Sequence, residues 1–174
     1  MSVIIRKATV KDAEALLKIY APYVLETAIT FEYDVPTLAE FEERIRKISE
    51  KYPYMIAEKD GEILGYAYAS TFKDRAAYDW CVETSVYLDM SVRGAGIGRK
   101  LYESLEEELK KQGILNANAC ITYAEVEDEY VINGSMHFHE KMGYTLVGRF
   151  HQCGYKFGRW YDMIWMEKML GEHK

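Results

Sequence analysis

The feature that most constrains this chain is a glycine-rich segment between a strand-like run and an amphipathic helix. Residues 82–88 form the strand-like run, residues 93–98 read Arg-Gly-Ala-Gly-Ile-Gly, and a helical apolar stripe follows. Glycine permits a positive φ and lets the backbone approach a ligand closely. The first amides of a helix lack intrahelical partners and carry partial positive charge. The arrangement therefore predicts an anion site with phosphate as the expected ligand.

The spacing of these glycines excludes two common phosphate loops. A P-loop needs Gly-Lys-Ser/Thr, whereas Gly98 is followed by Arg-Lys-Leu. The dinucleotide fingerprint G-x-G-x-x-G fails because the third glycine comes one position early. The spacing that fits is Arg-x-x-Gly-x-Gly at Arg93, Gly96 and Gly98. For this segment taken alone, a strand-to-helix turn whose glycines serve packing is the alternative.

Three further segments accompany this loop along the chain. They are the strand leading into it at residues 77–87, a short segment at residues 138–144 and a closing hairpin at residues 154–162. Together the four motifs resemble the GCN5-related N-acetyltransferase (GNAT) superfamily, in particular its phosphinothricin acetyltransferase-like subfamily. The resemblance extends from residue 3 to residue 169. It implies the GNAT fold, a mixed, twisted, mostly antiparallel sheet of six to seven strands with helices on both faces.

The order of strand-like and helix-like segments also predicts an α/β fold. Strands are expected at residues 3–7, 54–58, 63–72, 82–88, 118–123, 144–151 and 160–168. Helices are expected after Thr9, after the capping box that runs from Thr37 to Glu40, after the glycine loop, and over residues 135–142. Residues 21–36 are interpreted as an aromatic-rich loop or broken helix. This alternation is typical of a mixed sheet covered by helices on both sides.

Length and charge limit the possible classes of protein. The 174 residues are enough for one domain, residues 1–174, with a single buried core. The net charge of −6 argues against nonspecific binding to nucleic acid. No apolar run reaches membrane-spanning length, and the first residues lack the layout of a signal peptide. A cytoplasmic protein with no nucleic-acid or membrane partner is therefore expected.

The cysteines and histidines indicate neither a disulfide framework nor a metal site. Cys81, Cys120 and Cys153 are odd in number and far apart in sequence, which favours a reducing compartment. His137 and His139 are two residues apart on a predicted helix, so they point to different faces. No second ligand pair has the spacing of a zinc site, and we predict no metal.

Glu83 is the best candidate for the base that deprotonates an acceptor amine. On a regular strand Glu83, Ser85 and Tyr87 share one face. A lone strand glutamate is usually a solvated or ion-paired carboxylate, which is the alternative. The GNAT resemblance implies that Glu83 and His139 form an acid–base pair or act through an ordered water, with Tyr87 as a second proton donor. Core packing for Tyr87 and a structural role for His139 are the alternatives.

The resemblance further implies acetyl-CoA as the co-substrate. Val86, Tyr87 and Leu88 would pair their backbone with the pantetheine arm and offer an amide to the acetyl carbonyl. The pyrophosphate would be bound by residues of the glycine loop, namely Arg93, Gly94, Gly96, Gly98 and Arg99. Ala95 and Ile97 of the same loop are further expected cofactor residues. Asn133 is a further expected cofactor residue, although the segment Asn-Gly-Ser that it begins is one residue tighter than the family pattern.

The acceptor is expected to bind before the strand that carries Glu83. The resemblance places Lys73 and Arg75 where the subfamily holds an acidic group, and arginine can fork onto a carboxylate or phosphinate. Two solvated loop charges are the alternative. Ser85 belongs to the same expected site, and the pocket walls would be aromatic side chains that could equally be core, namely Phe31, Tyr68 and Tyr78.

Three functions follow from these residues. The first is direct transfer of acetyl from acetyl-CoA to the α-amine of a small amino acid or an analogue such as phosphinothricin, methionine sulfone or methionine sulfoximine. The second is acetylation of protein N-termini or polyamines, which the acidic segment at residues 125–129 would favour. The third is a module that binds acetyl-CoA without catalysis, which an intact base and acid disfavour. The resemblance also implies a homodimer.

Overall fold

The described residues of the chain fold into seven strands and four α-helices. The computed structural model describes residues 2–92 and 94–174. The strands are β1 (Ile4–Lys7), β2 (Tyr54–Lys59), β3 (Glu62–Thr71), β4 (Cys81–Leu88), β5 (Asn116–Tyr123), β6 (Thr145–Lys156) and β7 (Arg159–Met169). The helices are α1 (Ala13–Glu26), α2 (Leu38–Lys51), α3 (Ile97–Lys111) and α4 (Gly134–Lys141).

All seven strands belong to one sheet with the order β1-β2-β3-β4-β5-β7-β6. Every neighbouring pair is antiparallel except β4 and β5, which are parallel. The parallel ladder is short, because it extends only from Cys81 opposite Asn116 to Glu83 opposite Asn118. Beyond Glu83 the two central strands separate. This confirms the predicted mixed, mostly antiparallel sheet.

Helices cover both faces of the sheet, as predicted, and the strand pleat divides the core between them. Ile56 and Tyr66 pack with the apolar faces of α1 and α2. Their neighbours Met55 and Ala67 point the other way and pack under α3. This alternation follows from the two-residue period of a β-strand. The same pleat places successive side chains of β4 on opposite faces.

Two local sequence signals have the expected geometry. The amide of Glu40 donates to the hydroxyl oxygen of Thr37 at 3.2 Å, and the amide of Thr37 donates to the carboxylate of Glu40 at 3.0 Å. This is the predicted capping box at the start of α2. Asp60 and Gly61 have φ values of +51° and +83° in the turn between β2 and β3. Two successive positive φ values match the twist of a tight hairpin.

The structure differs from the sequence-based expectation in helix α1 and in the last two strands, β6 and β7. The helix α1 continues through Pro22 to Glu26, so part of the segment expected as a loop or broken helix is helical. A proline inside a helix costs about 3 kcal/mol. Buried residues such as Leu16, Tyr20 and Val24 pack α1 onto the sheet and offset this cost. The last two strands are also longer than predicted, and they meet at Phe157 and Gly158.

Candidate active site

The glycine loop and the start of α3 form one wall of an open groove. Gly94 and Gly96 have φ values of +68° and +67°, and a Cβ at either position would meet no atom within 4 Å. Their backbone therefore faces open space. The groove has a volume of about 360 Å³, and several of the predicted cofactor residues line it, namely Leu88, Gly94, Ala95, Gly96, Ile97, Gly98 and Arg99. The predicted residue Arg93 lies outside the described part of the chain.

A narrow slot opens where β4 and β5 separate. Its volume is about 50 Å³. Side chains from both faces of β4 line it, because Thr84 and Val86 point to one face and Ser85 and Tyr87 to the other. Past Glu83 the backbone of β4 has no ladder partner on the β5 side. Unpaired peptide groups in this position offer hydrogen bonds to an extended ligand.

Glu83 lies at the point where the two strands separate. Its side chain is half-buried. It lies on the α1–α2 face of the sheet, because the neighbouring residues Val82 and Thr84 point into the opposite face. Burial raises the pKa of the Glu83 carboxyl, and the nearby Lys73 ammonium opposes this effect. A carboxylate with a raised pKa is better matched to accepting a proton near neutral pH than a solvated one.

His139 is held in the interior between α4 and α3. Only 3% of the residue is exposed. Nδ1 lies 2.7 Å from the carbonyl oxygen of Ser135, and Nε2 lies 2.8 Å from the hydroxyl of Tyr102. A ring nitrogen that faces a carbonyl must carry a proton, so Nδ1 donates and Nε2 accepts from Tyr102. Burial lowers the pKa of His139 to about 4, so the ring is neutral at neutral pH.

Glu83 and His139 do not contact each other directly. The carboxylate is on the α1–α2 face, whereas Tyr102 and His139 are on the α3–α4 face, where His139 lines the slot. Both ring nitrogens are occupied by Ser135 and Tyr102. Within residues 2–92 and 94–174 we find no hydrogen bond or ion pair that joins the expected acid–base partners. Their separate catalytic roles stay predictions.

Tyr87 lines the slot and is surrounded by aromatic side chains. Its ring centroid lies 5.1 Å from that of Tyr20, 5.2 Å from that of Tyr23 and 5.6 Å from that of Tyr66. Burial raises the pKa of the Tyr87 phenol well above its usual value. The phenol is therefore protonated at neutral pH. Core packing and proton donation are both compatible with this position.

The structure brings only some of the expected acceptor residues together. Lys73 lies close enough to Glu83 to influence its pKa, and Tyr78 lines the same cleft as Lys73. Arg75 is exposed, caps a single 3-10 turn through its backbone and does not line this cleft. The two expected cations are therefore not equivalent. Lys73 is positioned to meet a ligand at Glu83, and Arg75 is not part of that arrangement.

Three other expected acceptor residues lie on different strands or loops, with Tyr68 on β3, Ser85 on β4 and Phe31 against β6. Tyr68 stacks on Tyr54 with ring centroids 4.8 Å apart, and it is the register partner of Ser85 on the neighbouring strand. Ser85 also lines the slot. Phe31 is half-buried and packs so closely on Gly154 that a Cβ there would lie 2.3 Å from the ring. Tyr68 and Phe31 thus carry packing contacts in addition to any role with a ligand.

Asn133 is committed to the loop that precedes α4. Its side-chain oxygen accepts from the amide of Ala124 at 3.1 Å, and its side-chain nitrogen donates to the carbonyl of Ala124 at 2.7 Å. The side chain is buried and does not line the glycine-loop groove. This geometry favours a structural role for Asn133, and its expected contact with the cofactor remains a prediction.

The comparisons with known proteins agree with this geometry. The Acetyltransferase (GNAT) domain family matches residues 5–165. The chain belongs to the GNAT family. A phosphinothricin N-acetyltransferase from Streptomyces viridochromogenes is 33% identical over 159 residues, which cover 91% of this chain and 83% of the relative. An L-methionine sulfoximine/L-methionine sulfone acetyltransferase from Salmonella typhimurium is 32% identical and covers 97% of this chain and 95% of its own length.

Solved structures support the same assignment. A GNAT superfamily phosphinothricin acetyltransferase from Sinorhizobium meliloti, in complex with AcCoA, has a TM-score of 0.88 and 34% identity, and the match covers 98% of this chain and 90% of that one. An N-acetyltransferase from Staphylococcus aureus has a TM-score of 0.90 and 28% identity, and the match covers 98% of this chain and 100% of that one. This GNAT protein is therefore an acetyltransferase.

Several features of this GNAT site were not predicted. Tyr102 is 37 residues from His139 in sequence, and nothing in its helical stripe indicates that it bonds the histidine. Phe72 and Trp165 line the cleft next to Lys73 but read as ordinary apolar strand positions.

No helix among the described residues is long and apolar enough to cross a membrane. Residues 2–92 and 94–174 also contain no group of three or more potential metal ligands.

Proposed function

We propose that this GNAT protein transfers acetyl from acetyl-CoA directly to the α-amine of a small amino acid or amino-acid analogue. The observation that carries the proposal is the order of sites along β4. The acceptor cleft borders its start, Glu83 stands where β4 and β5 separate, the slot follows, and the glycine-loop groove lies beyond Leu88. An extended thioester and an amine can thus meet beside a carboxylate.

The groove and slot fit acetyl-CoA. The open backbone at Gly94 and Gly96 and the free amides of the first turn of α3 suit a pyrophosphate. Arg99 and Lys141 add positive charge to the rim. The edge of β4 around Val86, which has no ladder partner on the β5 side, suits the amide-containing pantetheine arm. When bound, acetyl-CoA supplies the activated acetyl group that the amine attacks.

Glu83 would accept the proton that the acceptor ammonium must lose, because only the free amine has a lone pair. Its carboxylate is half-buried and Lys73 lies nearby. A peptide amide of β4 that faces the slot would stabilise the developing oxyanion. His139 is neutral and fixed by Tyr102. We infer that His139 shapes the far side of the slot, and that the protonated phenol of Tyr87, which also lines the slot, gives a proton to the departing thiolate.

Relatives guide the choice of acceptor. Those described above are named for phosphinothricin and for methionine sulfoximine and sulfone, and another from Escherichia coli is named as an L-amino acid N-acyltransferase. Each of these acceptors has an α-amine beside a carboxylate. Lys73 is placed to attract such a carboxylate while the amine faces Glu83. The proposed acceptor class follows from this match.

Binding and turnover test the proposal separately. Calorimetry should show that acetyl-CoA binds the folded protein, and thiol release should be measured with amino acids, their analogues, a peptide N-terminus and a polyamine. Turnover of amino-acid α-amines supports the proposal. Binding of acetyl-CoA with turnover of the peptide alone, or with no turnover of any amine, would overturn it.

We further propose that the chain is a single domain that forms a homodimer in the cytoplasm. The end of the β6–β7 hairpin exposes aromatic side chains: the ring centroids of Tyr155 and Trp160 lie 4.8 Å apart in a tilted arrangement, and the two residues are 47% and 60% exposed. An exposed aromatic patch of this kind favours association with a second copy. The three cysteines are unpaired, which fits a reducing compartment. Light scattering of the wild type and of Trp160→Glu tests the dimer, since a monomeric wild type contradicts it.

A further inference from the structure

A large apolar cleft lies on the α1–α2 side of the sheet, beyond the area that the helices cover. Its volume is about 850 Å³. The floor consists of β4, β5 and β7, one wall is the loop of residues 73–80, and the other wall is β6. This volume lies within the range of about 300–1,000 Å³ that is typical of pockets for whole small molecules.

Neighbours of the proposed base Glu83 line the cleft. Asn118 lines the floor and is the register partner of Glu83 on the neighbouring strand. Lys73 lines the same cleft and influences the pKa of the Glu83 carboxyl. Cys81, two residues before Glu83 on β4, also faces the cleft. A ligand whose amine reaches Glu83 can therefore extend its side chain into the cleft past Lys73 and Asn118.

Aromatic rings form the inner surface of this cleft. The ring of Phe72 lies 5.5 Å from that of Trp165 and 5.8 Å from that of Tyr78, and both pairs are edge-on. Trp80 and Tyr78 remain 56% and 42% exposed at the entrance. A side chain placed among them would remove apolar surface from water on both partners. Such burial is the principal source of affinity in ligand pockets.

Charge within the cleft is distributed unevenly. Lys73 stands at the Glu83 end, where its ammonium can pair with a carboxylate. Glu167 lines the floor beside Asn118, its register partner. An anionic side chain lying over the floor would be repelled by Glu167, whereas an uncharged one would not. The cleft therefore disfavours acidic side chains.

We propose that the preferred acceptor is an L-amino acid with an aromatic or long apolar side chain. The side chain occupies the cleft between Phe72, Tyr78 and Trp165, the α-carboxylate pairs with Lys73, and the α-amine faces Glu83. Amino acids with an anionic side chain, such as the phosphinate of phosphinothricin, are poor acceptors. This inference rests on the proposed function and narrows it, because a short side chain would leave most of the cleft filled with water.

A panel of acceptors at saturating acetyl-CoA tests the inference. We expect kcat/KM for L-phenylalanine, L-tryptophan and L-leucine to exceed that for L-alanine and phosphinothricin by about tenfold or more, since one methylene in an apolar pocket is worth roughly 10–200-fold. Equal rates for L-alanine and L-phenylalanine, or a preference for phosphinothricin, would overturn the inference and leave amino-acid acetylation intact. Absence of turnover with every amine would instead refute the proposed function.

Two variants test whether the cleft determines the acceptor preference. Trp165→Ala removes a floor ring, and Tyr78→Ala removes an exposed wall ring with little risk to folding. Both should lower the ratio of kcat/KM for L-phenylalanine to kcat/KM for L-alanine by about tenfold. Leu25→Ala, which truncates a 61% exposed side chain outside the cleft, is the matched control. If Tyr78→Ala converts a dimer to a monomer without changing acceptor preference, a second copy covers the cleft and the inference is wrong.

Discussion

The hydroxyl of Tyr102 lies 2.8 Å from Nε2 of His139 in the interior between α3 and α4. The other ring nitrogen faces the carbonyl of Ser135 at 2.7 Å, so the network requires the neutral tautomer with its proton on Nδ1. Burial lowers the pKa of this imidazole to about 4. The folded protein therefore resists protonation of a group that the unfolded chain protonates readily.

This relationship predicts that stability falls as the pH drops from about 6.5 towards about 4. In that window the unfolded state binds a proton at His139 and the folded state does not, so acid favours unfolding. The pKa difference corresponds to roughly 3 kcal/mol of unfolding free energy. Denaturant titrations across this pH range measure the loss. His139→Gln should reduce the slope, and the exposed His137→Gln should not. Parallel profiles for the wild type and His139→Gln would contradict the prediction.

Replacing the proposed base tests the chemistry independently of binding. Glu83→Gln should lower kcat by about 10²–10⁴-fold, the usual contribution of a general base. Acetyl-CoA affinity, measured by calorimetry, should stay unchanged, because Glu83 does not line the glycine-loop groove. The exposed Glu62→Gln at the start of β3 is the control. Wild-type turnover in Glu83→Gln would assign the base to another residue.

The same carboxylate should determine the acid limb of the pH–rate profile. Burial raises the pKa of Glu83, so kcat/KM should fall as the pH decreases through a value above that of a solvated glutamate. Protonation removes the lone pair that accepts the ammonium proton, which explains the sign. The Glu83→Gln variant should lack this limb in its residual activity. A limb that persists unchanged in the variant would show that another group titrates.

The role of the glycine loop can be tested by comparing two glycines that both have a positive φ, one inside the loop and one far from it. Gly96 and Gly61 have φ values of +67° and +83°, and neither has an atom within 4 Å of a Cβ position. Alanine at either site should cost about 1–2 kcal/mol of stability, because the left-handed region disfavours a Cβ. Only Gly96→Ala should also weaken acetyl-CoA binding in calorimetry. Equal affinities for the two variants would show that the loop does not contact the cofactor.

A close contact between the β6 strand and the α1–α2 connection gives a further prediction. A Cβ at Gly154 would lie 2.3 Å from the ring of Phe31, whereas at Gly148 on the same strand it would meet nothing within 4 Å. Gly154→Ala should therefore displace Phe31 and cost about 1–3 kcal/mol. Gly148→Ala should be nearly neutral in thermal unfolding. Similar melting temperatures for both variants would mean that Phe31 moves without penalty.

Much of the fold was predictable because its signals are local. The capping box from Thr37 to Glu40 and the turn at Asp60 and Gly61 depend on residues that are adjacent in sequence. The loop around Gly96 and the helix after it depend on glycine and on an apolar stripe with a helical period. The extension of α1 through Pro22 was not predictable, because distant packing decides it.

Within the site, the sequence by itself determined which groups are available: the glycine loop, the carboxylate of Glu83 and an imidazole at residue 139. Only the tertiary structure decided their relations. It placed Glu83 and His139 on opposite faces of the sheet, fixed His139 through Tyr102, and separated β4 from β5 just beyond Glu83. These outcomes depend on contacts between residues far apart in sequence. A local sequence pattern does not predict the strand register or the side-chain packing that such contacts require.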